Sequence, residues 1–470
     1  MKRQDLIVIG GGVGGLVVTS VAAQLGLKVT LIEKTGRLGG DCLHYGCVPS
    51  KTLIMSARVA SLMRRGAEFG LGSHAPDVNL RRVMAHVAEV IGDIQKHDSP
   101  ERFEAYGARV MFGAPRFIDA HRVEVEGETL RGRRFVVATG SRPDVPPIAG
   151  LAEAGFLTNE TVFDLESLPA RLLVLGGGPV GVELGQAFAR LGSAVVIAEA
   201  GDRLLPAEDP EVGAELASLL RAEGIEVHTG LEVASVEREG EAAVLRCGSR
   251  VLRGDALLVA TGRRPHVEGL GLEAAGVDYD DRKGIRVDPR LRTSQKHIYA
   301  CGDVCGPFPF THMAEYQAGI VLSNAVFRWP KKADYSVVPR VTYSDPEVAR
   351  VGRNEAEARD GGIDFETLRF DFADIDRAKT AVERKGFAKL LVSRRRIIGA
   401  TVIGPHAGEL LAELVLAMHA RVRIGSISGA IHAYPTLAEI TRRAVNLHYA
   451  RKLFSPWTRR LVRFINVALP

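Results

Sequence analysis

Two cysteines five positions apart, in Gly39-Gly40-Asp41-Cys42-Leu43-His44-Tyr45-Gly46-Cys47-Val48-Pro49-Ser50-Lys51, have the spacing richest in chemistry in this chain. A disulfide closing so short a loop removes little chain entropy, roughly 2 kcal/mol. Stability is therefore a weak reason to have one. Pro49 and the flanking glycines predict a helix start here, and a helix N-terminus lowers a thiol pKa and favours thiolate. Thiol–disulfide exchange is the better reading, against two unrelated buried cysteines. Such a pair needs an electron source.

Two glycine clusters supply the elements for one. Leu6-Ile7-Val8-Ile9 leads into Gly10-Gly11-Gly12-Val13-Gly14-Gly15, an apolar helix pattern follows to Leu25, and a second strand, Val29 to Ile32, ends at Glu33. Gly10, Gly12 and Gly15 allow the tight turn and let backbone N–H groups reach a pyrophosphate at a helix N-terminus, and the acid accepts from a ribose hydroxyl. The unit recurs. Leu172 to Leu175 precedes Gly176-Gly177-Gly178-Pro179-Val180-Gly181, and the strand Ala194 to Ala198 ends at Glu199, with the same offset from first glycine to acid. Gly176, Gly178, Gly181 and Glu199 thus repeat the first set. A second echo pairs Ala138-Thr139-Gly140-Ser141-Arg142-Pro143 with Ala260-Thr261-Gly262-Arg263-Arg264-Pro265, each after a buried apolar strand. The chain is expected to bind two dinucleotides.

The 470 residues exceed one core, so two to four domains are expected. An apolar share of 46% and a charged share of 25% are those of an ordinary globular protein, and a net charge of +5 points to no nucleic-acid partner. Five cysteines make no secreted disulfide framework and fit a reducing compartment. No apolar run reaches the length of a membrane span, and the first one is too short for a signal peptide. The expected location is cytoplasmic.

An amphipathic stretch spans about Lys51 to Gln95, with short strands near Arg109 to Phe112 and Arg122 to Val125, and Pro143, Pro146 and Pro147 read as a linker. Ile298-Tyr299-Ala300-Cys301-Gly302-Asp303 reads as a strand ending in Gly-Asp. After Trp329-Pro330 come strand patterns (Arg340 to Tyr343, Phe387 to Val392, Ile397 to Ile403) and helical ones (Gly408 to Arg421, Thr436 to Tyr449). The fold class expected is α/β: two Rossmann-like dinucleotide-binding domains plus a C-terminal α+β domain. The divisions are 1–147 and 269–335 for the first nucleotide domain, 148–268 for the second, and 336–470 for the last.

Two dinucleotide units, the Cys-x4-Cys pair, two Ala-Thr-Gly motifs and a late Gly-Asp resemble the FAD-dependent pyridine nucleotide-disulfide oxidoreductases, a group that includes dihydrolipoyl dehydrogenase and mercuric reductase. The resemblance implies a homodimer joined by the C-terminal domain, with FAD in the first unit and NAD(P)H in the second. It places FAD on Gly10, Gly12, Gly15, Glu33, Lys34, Gly40, Lys51, Ala114, Thr139, Gly140, Asp303 and Met313, and the nicotinamide nucleotide on Gly176, Gly178, Gly181, Glu199 and Gly262. Cys47 would face the flavin and Cys42 the substrate, a lipoyl-type or other small disulfide or dithiol. Lys51 would pair with Glu183 on the hydride path. Glu199 accepts from a 2′-hydroxyl and repels a 2′-phosphate, so NADH is favoured over NADPH, although Arg203 could meet a phosphate.

The pattern departs from the family near its end. Where disulfide-exchanging members carry His-Pro-Thr-x-x-Glu, this chain has Tyr434-Pro435-Thr436-Leu437-Ala438-Glu439. The catalytic set is then Cys42, Cys47, Lys51, Glu183, Tyr434 and Glu439, the last two from the second subunit, with no metal site. A tyrosine is a poor base near pH 7, and His432 is its only neighbouring substitute. Tyrosine here matches mercuric reductase, yet no cysteine follows Cys305. Two readings stay beside the disulfide one: a mercuric-reductase-like metal reductase, and a quinone or transhydrogenase-type diaphorase that bypasses the cysteines. Cys301, Cys305 and Cys247, the last in a polar strand, carry no clear chemistry. From Ile440 to Pro470 there is no acid, while Arg442, Arg443, Arg451, Lys452, Arg459, Arg460 and Arg463 are basic, and between the later ones lie Leu453, Phe454, Trp457, Leu461, Val462, Phe464 and Ile465 at roughly helical spacing. That pattern suits packing on the dimer, a membrane surface or a protein partner.

Overall fold

The computed structural model describes residues 3–468. The chain forms two compact units, one of Met1–Ala60, Asp77–Ala200 and Leu231–Asp334, the other of Ser61–Pro76, Gly201–Gly230 and Tyr335–Pro470.

In the first unit the strands Ile298–Ala300, Phe135–Val137, Leu6–Ile9, Val29–Glu33 and Arg109–Phe112 form a parallel sheet in that order. Its inner strands are apolar without alternation because both faces are covered. Val18, Ala22, Leu31, Val136, Ala318 and Val321 fill one face, under the helices Val13–Gln24 and Thr311–Ala325. Ile7, Ile9, Phe117, Phe135 and Val137 fill the other. The repeat builds a second parallel sheet, in which Arg171–Leu175 lies between Ala194–Ala198 and Ala256–Val259, with an antiparallel meander from Ser235 to Gly254. Cys247 is buried in that meander, not in a polar strand: it lines the same apolar cluster as Ala243 and Leu245.

Two other local expectations change. The stretch from Lys51 to Gln95 is two helices, Cys47–Arg64 and Leu80–Gln95, because Gly66, Gly70 (φ +76°) and Pro76 interrupt the run. Pro143 ends a short strand, Ser141–Pro143, paired antiparallel with Arg263–Pro265, so the first of the three prolines lies in structure rather than in a linker.

The second unit carries an antiparallel sheet in the order Pro339–Thr342, Glu347–Gly352, Arg396–Gly404, Phe387–Ser393, Glu366–Asp371. Helices Ala407–His419 and Glu439–Leu453 share its core with Val351, Leu390, Val402, Leu411, Ile440 and Val445. This is the expected α+β arrangement. Pro456–Ala468 follows as a separate helix with no buried residue.

Candidate active site

Each glycine loop is shaped by contacts that leave no room for a side chain. A Cβ on Gly10 (φ +107°) would sit 2.4 Å from the Ala138 carbonyl oxygen, and one on Gly15 would sit 1.9 Å from the Gly10 oxygen. The second loop repeats both: 2.4 Å from Gly176 (φ +114°) to the Ala260 oxygen, and 2.0 Å from Gly181 to the Gly176 oxygen. Glu33 accepts from the Gly11 N–H at 2.6 Å and Glu199 from the Gly177 N–H at 2.5 Å. Gly12 and Gly178 begin their helices with no side-chain cap. An uncapped helix N-terminus behind a glycine turn, with a carboxylate at the next strand's end, is a cradle for a dinucleotide. Both copies fit one.

The two Ala-Thr-Gly turns join reciprocally. The Thr139 hydroxyl donates to the His266 carbonyl and the Thr261 hydroxyl to the Asp144 carbonyl, both at 2.7 Å. The His266 N–H donates to Gly140 at 2.9 Å and the Asp144 N–H to Gly262 at 3.0 Å. Lys34 Nζ lies 2.6 Å from His266 Nε2, and Ala114 is exposed between two strands.

The redox segment is stitched to the first loop. The Gly39 N–H donates to the Gly11 carbonyl at 2.8 Å, and Gly40 (φ +63°) is close enough that a Cβ would lie 2.7 Å from Gly12 Cα. Cys42 lies in the short helix Gly40–His44, and Cys47 opens the helix Cys47–Arg64. Both are free thiols, Cys47 the more exposed. Cys47 Sγ is 3.4 Å from the hydroxyl of Thr311, first residue of the helix Thr311–Ala325, in whose first turn Met313 is buried. Two helix N-termini therefore meet at one sulfur.

Charge separates the two thiols. The Cys42 thiol's hydrogen bond brings the Cys47 pKa down to about 6, with Thr311 and the Lys51 ammonium acting the same way against burial. Cys42 is pushed up, by that same bond and by burial. The reduced pair is thus a Cys42 thiol beside a Cys47 thiolate. Lys51 Nζ pairs with Glu183 at 2.8 Å, the carboxylate being almost fully buried. Lys51 lowers the Cys47 pKa and Glu183 raises it. Iodoacetamide alkylation of Cys47, followed against pH, should have its midpoint near 6. Lys51→Met should slow it several-fold at pH 6, and Glu183→Gln should speed it. Shifts in the same direction would sink this electrostatic account.

A polar chain absent from the sequence expectations runs beside this site. Arg263 reaches Asp41 Oδ2 at 3.2 Å and donates through Nε to the Ser141 hydroxyl at 2.8 Å, which donates to Asp303 at 2.5 Å. Asn159 Nδ2 donates to the Tyr45 carbonyl at 3.1 Å and to Asp41 at 3.3 Å, holding the short redox helix. Burial lifts the Asp303 carboxyl, and Ser141 and Arg263 oppose this. Ser141 and Arg263 follow the Thr-Gly of their motifs, the only signal that could have drawn attention to them.

Tyr434 and Glu439 belong to the second unit. The Tyr434 hydroxyl donates to Asp376 at 3.2 Å, and the Asp376 charge raises its pKa, which makes it a worse base still. Glu439 opens the helix Glu439–Leu453, mostly buried, with Arg443 at 3.7 Å. Both His432 ring nitrogens lie beside acceptors, Glu413 at 3.0 Å and the Ala430 carbonyl at 3.2 Å. Arg203 pairs with Asp202 at 2.9 Å. Cys301 is fully buried, which pushes its thiol up to about 12. Among the described residues no His, Cys, Asp and Glu cluster could hold a metal ion, and no helix is long and apolar enough to cross a membrane.

Residues 4–318 match the family model described as pyridine nucleotide-disulphide oxidoreductase, and residues 338–445 match its dimerisation domain. The chain is 34% identical over 441 residues to the mercuric reductase of Lysinibacillus sphaericus, covering 93% of this chain and 81% of that protein. It is 34% identical over 454 residues to the dihydrolipoyl dehydrogenase of Bacillus subtilis, covering 94% and 96%. Among solved structures, the Cu(II) complex of the HOCl-induced flavoprotein disulfide reductase RclA from Escherichia coli is similar at TM-score 0.86 and 28% identity, covering 94% of this chain and all of that one.

Proposed function

The chain belongs to the pyridine nucleotide-disulphide oxidoreductase family, and on that premise we propose that it is an NADH-driven reductase acting through the Cys42–Cys47 pair. Family membership makes it an oxidoreductase that uses FAD and NAD(P)H and acts on a sulfur group, and the dimerisation domain makes it a homodimer. The finer reading is that FAD lies on Gly10, Gly12, Gly15, Glu33, Gly40, Lys51 and Asp303, and NADH on Gly176, Gly178, Gly181 and Glu199, within the four-part division at 147/148, 268/269 and 335/336. The observation that carries it is Cys47 at the start of its helix, with Sγ 3.4 Å from the hydroxyl of Thr311 at the start of a second one. In that setting the Cys42 hydrogen bond, Thr311 and Lys51 hold the thiol below its usual range.

FAD, when bound, relays two electrons from the nicotinamide to sulfur. The Cys42–Cys47 bond accepts the pair with one proton and becomes a Cys42 thiol and a Cys47 thiolate. Cys42 then attacks a disulfide acceptor to form a mixed disulfide, its proton passing to the first departing thiolate, and the Cys47 thiolate attacks Cys42 Sγ, expelling the second substrate thiolate and re-forming the internal disulfide. NADH should expose two thiols per subunit to Ellman's reagent under anaerobic conditions, well ahead of NADPH at equal concentration. Glu199→Ser, which removes the carboxylate that repels a 2′-phosphate, should narrow that preference by about tenfold. Equal rates with both nucleotides in the unmodified enzyme would overturn the assignment to NADH.

A soft metal ion is the second reading, favoured by Tyr434. A thiophilic ion displaces thiol protons by itself and needs no base at that position, and mercuric reductases are among the relatives. A turnover panel of lipoamide, glutathione disulfide, Hg(II), Cu(II) and quinones separates the two. The exposed basic tail adds a surface contact to the partners of the dimer.

A further inference from the structure

We propose that the helix Pro456–Ala468 docks this enzyme on an anionic lipid bilayer. The helix has no buried residue, although it carries Trp457 at 70% exposure, Phe464 at 69% and Ile465 at 41%, with Leu461 beside them. At 3.6 residues per turn these four side chains fall on one face, while Arg459, Arg460 and Arg463 fall on the opposite face and its flank. Helices that lie in a membrane interface have this division, with aromatic and aliphatic groups entering the acyl boundary and cations meeting phosphates.

Charge decides between a bilayer and a second copy. No acid stands anywhere from Ile440 to Pro470, so two such helices facing each other would bring cations together with nothing to neutralise them. An anionic surface neutralises them all. The family's dimerisation domain ends at residue 445, before this helix begins. The helix is also too short to span, at 13 residues, so it would lie in the interface plane.

The test uses the full-length holoenzyme and vesicles of phosphatidylcholine with about a third phosphatidylglycerol. The enzyme should co-sediment with these vesicles, stay in solution with pure phosphatidylcholine, and detach as salt is raised. Replacing Arg459, Arg460 and Arg463 by Gln should weaken binding on the order of 100-fold, and Phe464→Asp should abolish it, both with NADH oxidation intact. Trp457 fluorescence should shift to the blue on binding in a Trp329→Phe background. Full-length enzyme left in the supernatant, or both variants pelleting as well as the parent, overturns the proposal. So does a variant that turns a dimer into a monomer while vesicles never bind the parent, which would assign the face to the partner subunit.

Discussion

Cys42→Ser and Cys47→Ser each lower NADH-dependent disulfide reduction by roughly a thousand-fold or more, on the scale of losing a covalent nucleophile. That is about 4 kcal/mol of transition-state stabilisation. Two substitutions at Cys42, to Ser and to Ala, part in the thiol chemistry of Cys47. The strongest influence lowering the Cys47 pKa is the hydrogen bond donated by Cys42. A serine at 42 still donates, so Cys47 should keep a midpoint near 6 in an alkylation titration. Cys42→Ala removes the donor, and the midpoint should move up. Quinone reduction supplies the control, since electrons can leave the flavin without touching sulfur. If glutathione disulfide, lipoamide, Hg(II) and Cu(II) all turn over normally in Cys42→Ala, the cysteines are bypassed and the enzyme is a diaphorase. If only quinone turnover survives, the pair is the exit for electrons.

The parts of this site legible in the sequence are those that backbone geometry dictates. Gly10 and Gly176 are glycines because the carbonyls of Ala138 and Ala260 occupy the space a Cβ would need, and such a constraint leaves the same residue at the same offset in both copies. Cys47 was legible for a related reason, since Pro49 announces the helix start that favours its thiolate. What pairing across the fold decides was not legible. Thr311 meets Cys47 across 264 positions, and no local pattern links Asp41 to Arg263 or to Asp303. Tyr434 lies between these cases. Its identity could be read as a poor base, and only the structure shows Asp376 drawing its hydroxyl away.

Charges buried inside strands were the least legible of all, and they carry the largest expected effect on stability. Arg350 and Lys389 stand in strands of the second unit where alternation would read them as solvent-facing, yet they are 1% and 2% exposed. Arg350 Nε lies 2.9 Å from Glu208 and Nη1 lies 3.2 Å from Glu357, while Lys389 pairs with Asp209 at 2.6 Å and with Glu211 and Glu355. These ions fasten Gly201–Gly230 to the sheet of their unit. Arg350→Ala should destabilise that unit by about 3–5 kcal/mol, because it strands the Glu208 carboxylate in the interior. The pH dependence gives the cause a signature. Burial already raises the Glu208 pKa in the folded state, with Arg350 opposing. Removing Arg350 raises it further above its unfolded value, so the penalty on the charged form is fully present at alkaline pH. It is relieved as pH falls through the folded pKa, where Glu208 takes up a proton. Chemical denaturation at pH 8 and pH 5.5 should therefore show a larger deficit at pH 8, and Glu208→Gln in the Arg350→Ala background should recover much of it. A deficit independent of pH would mean that the lost packing of the guanidinium stem, rather than a stranded charge, is what the variant exposes.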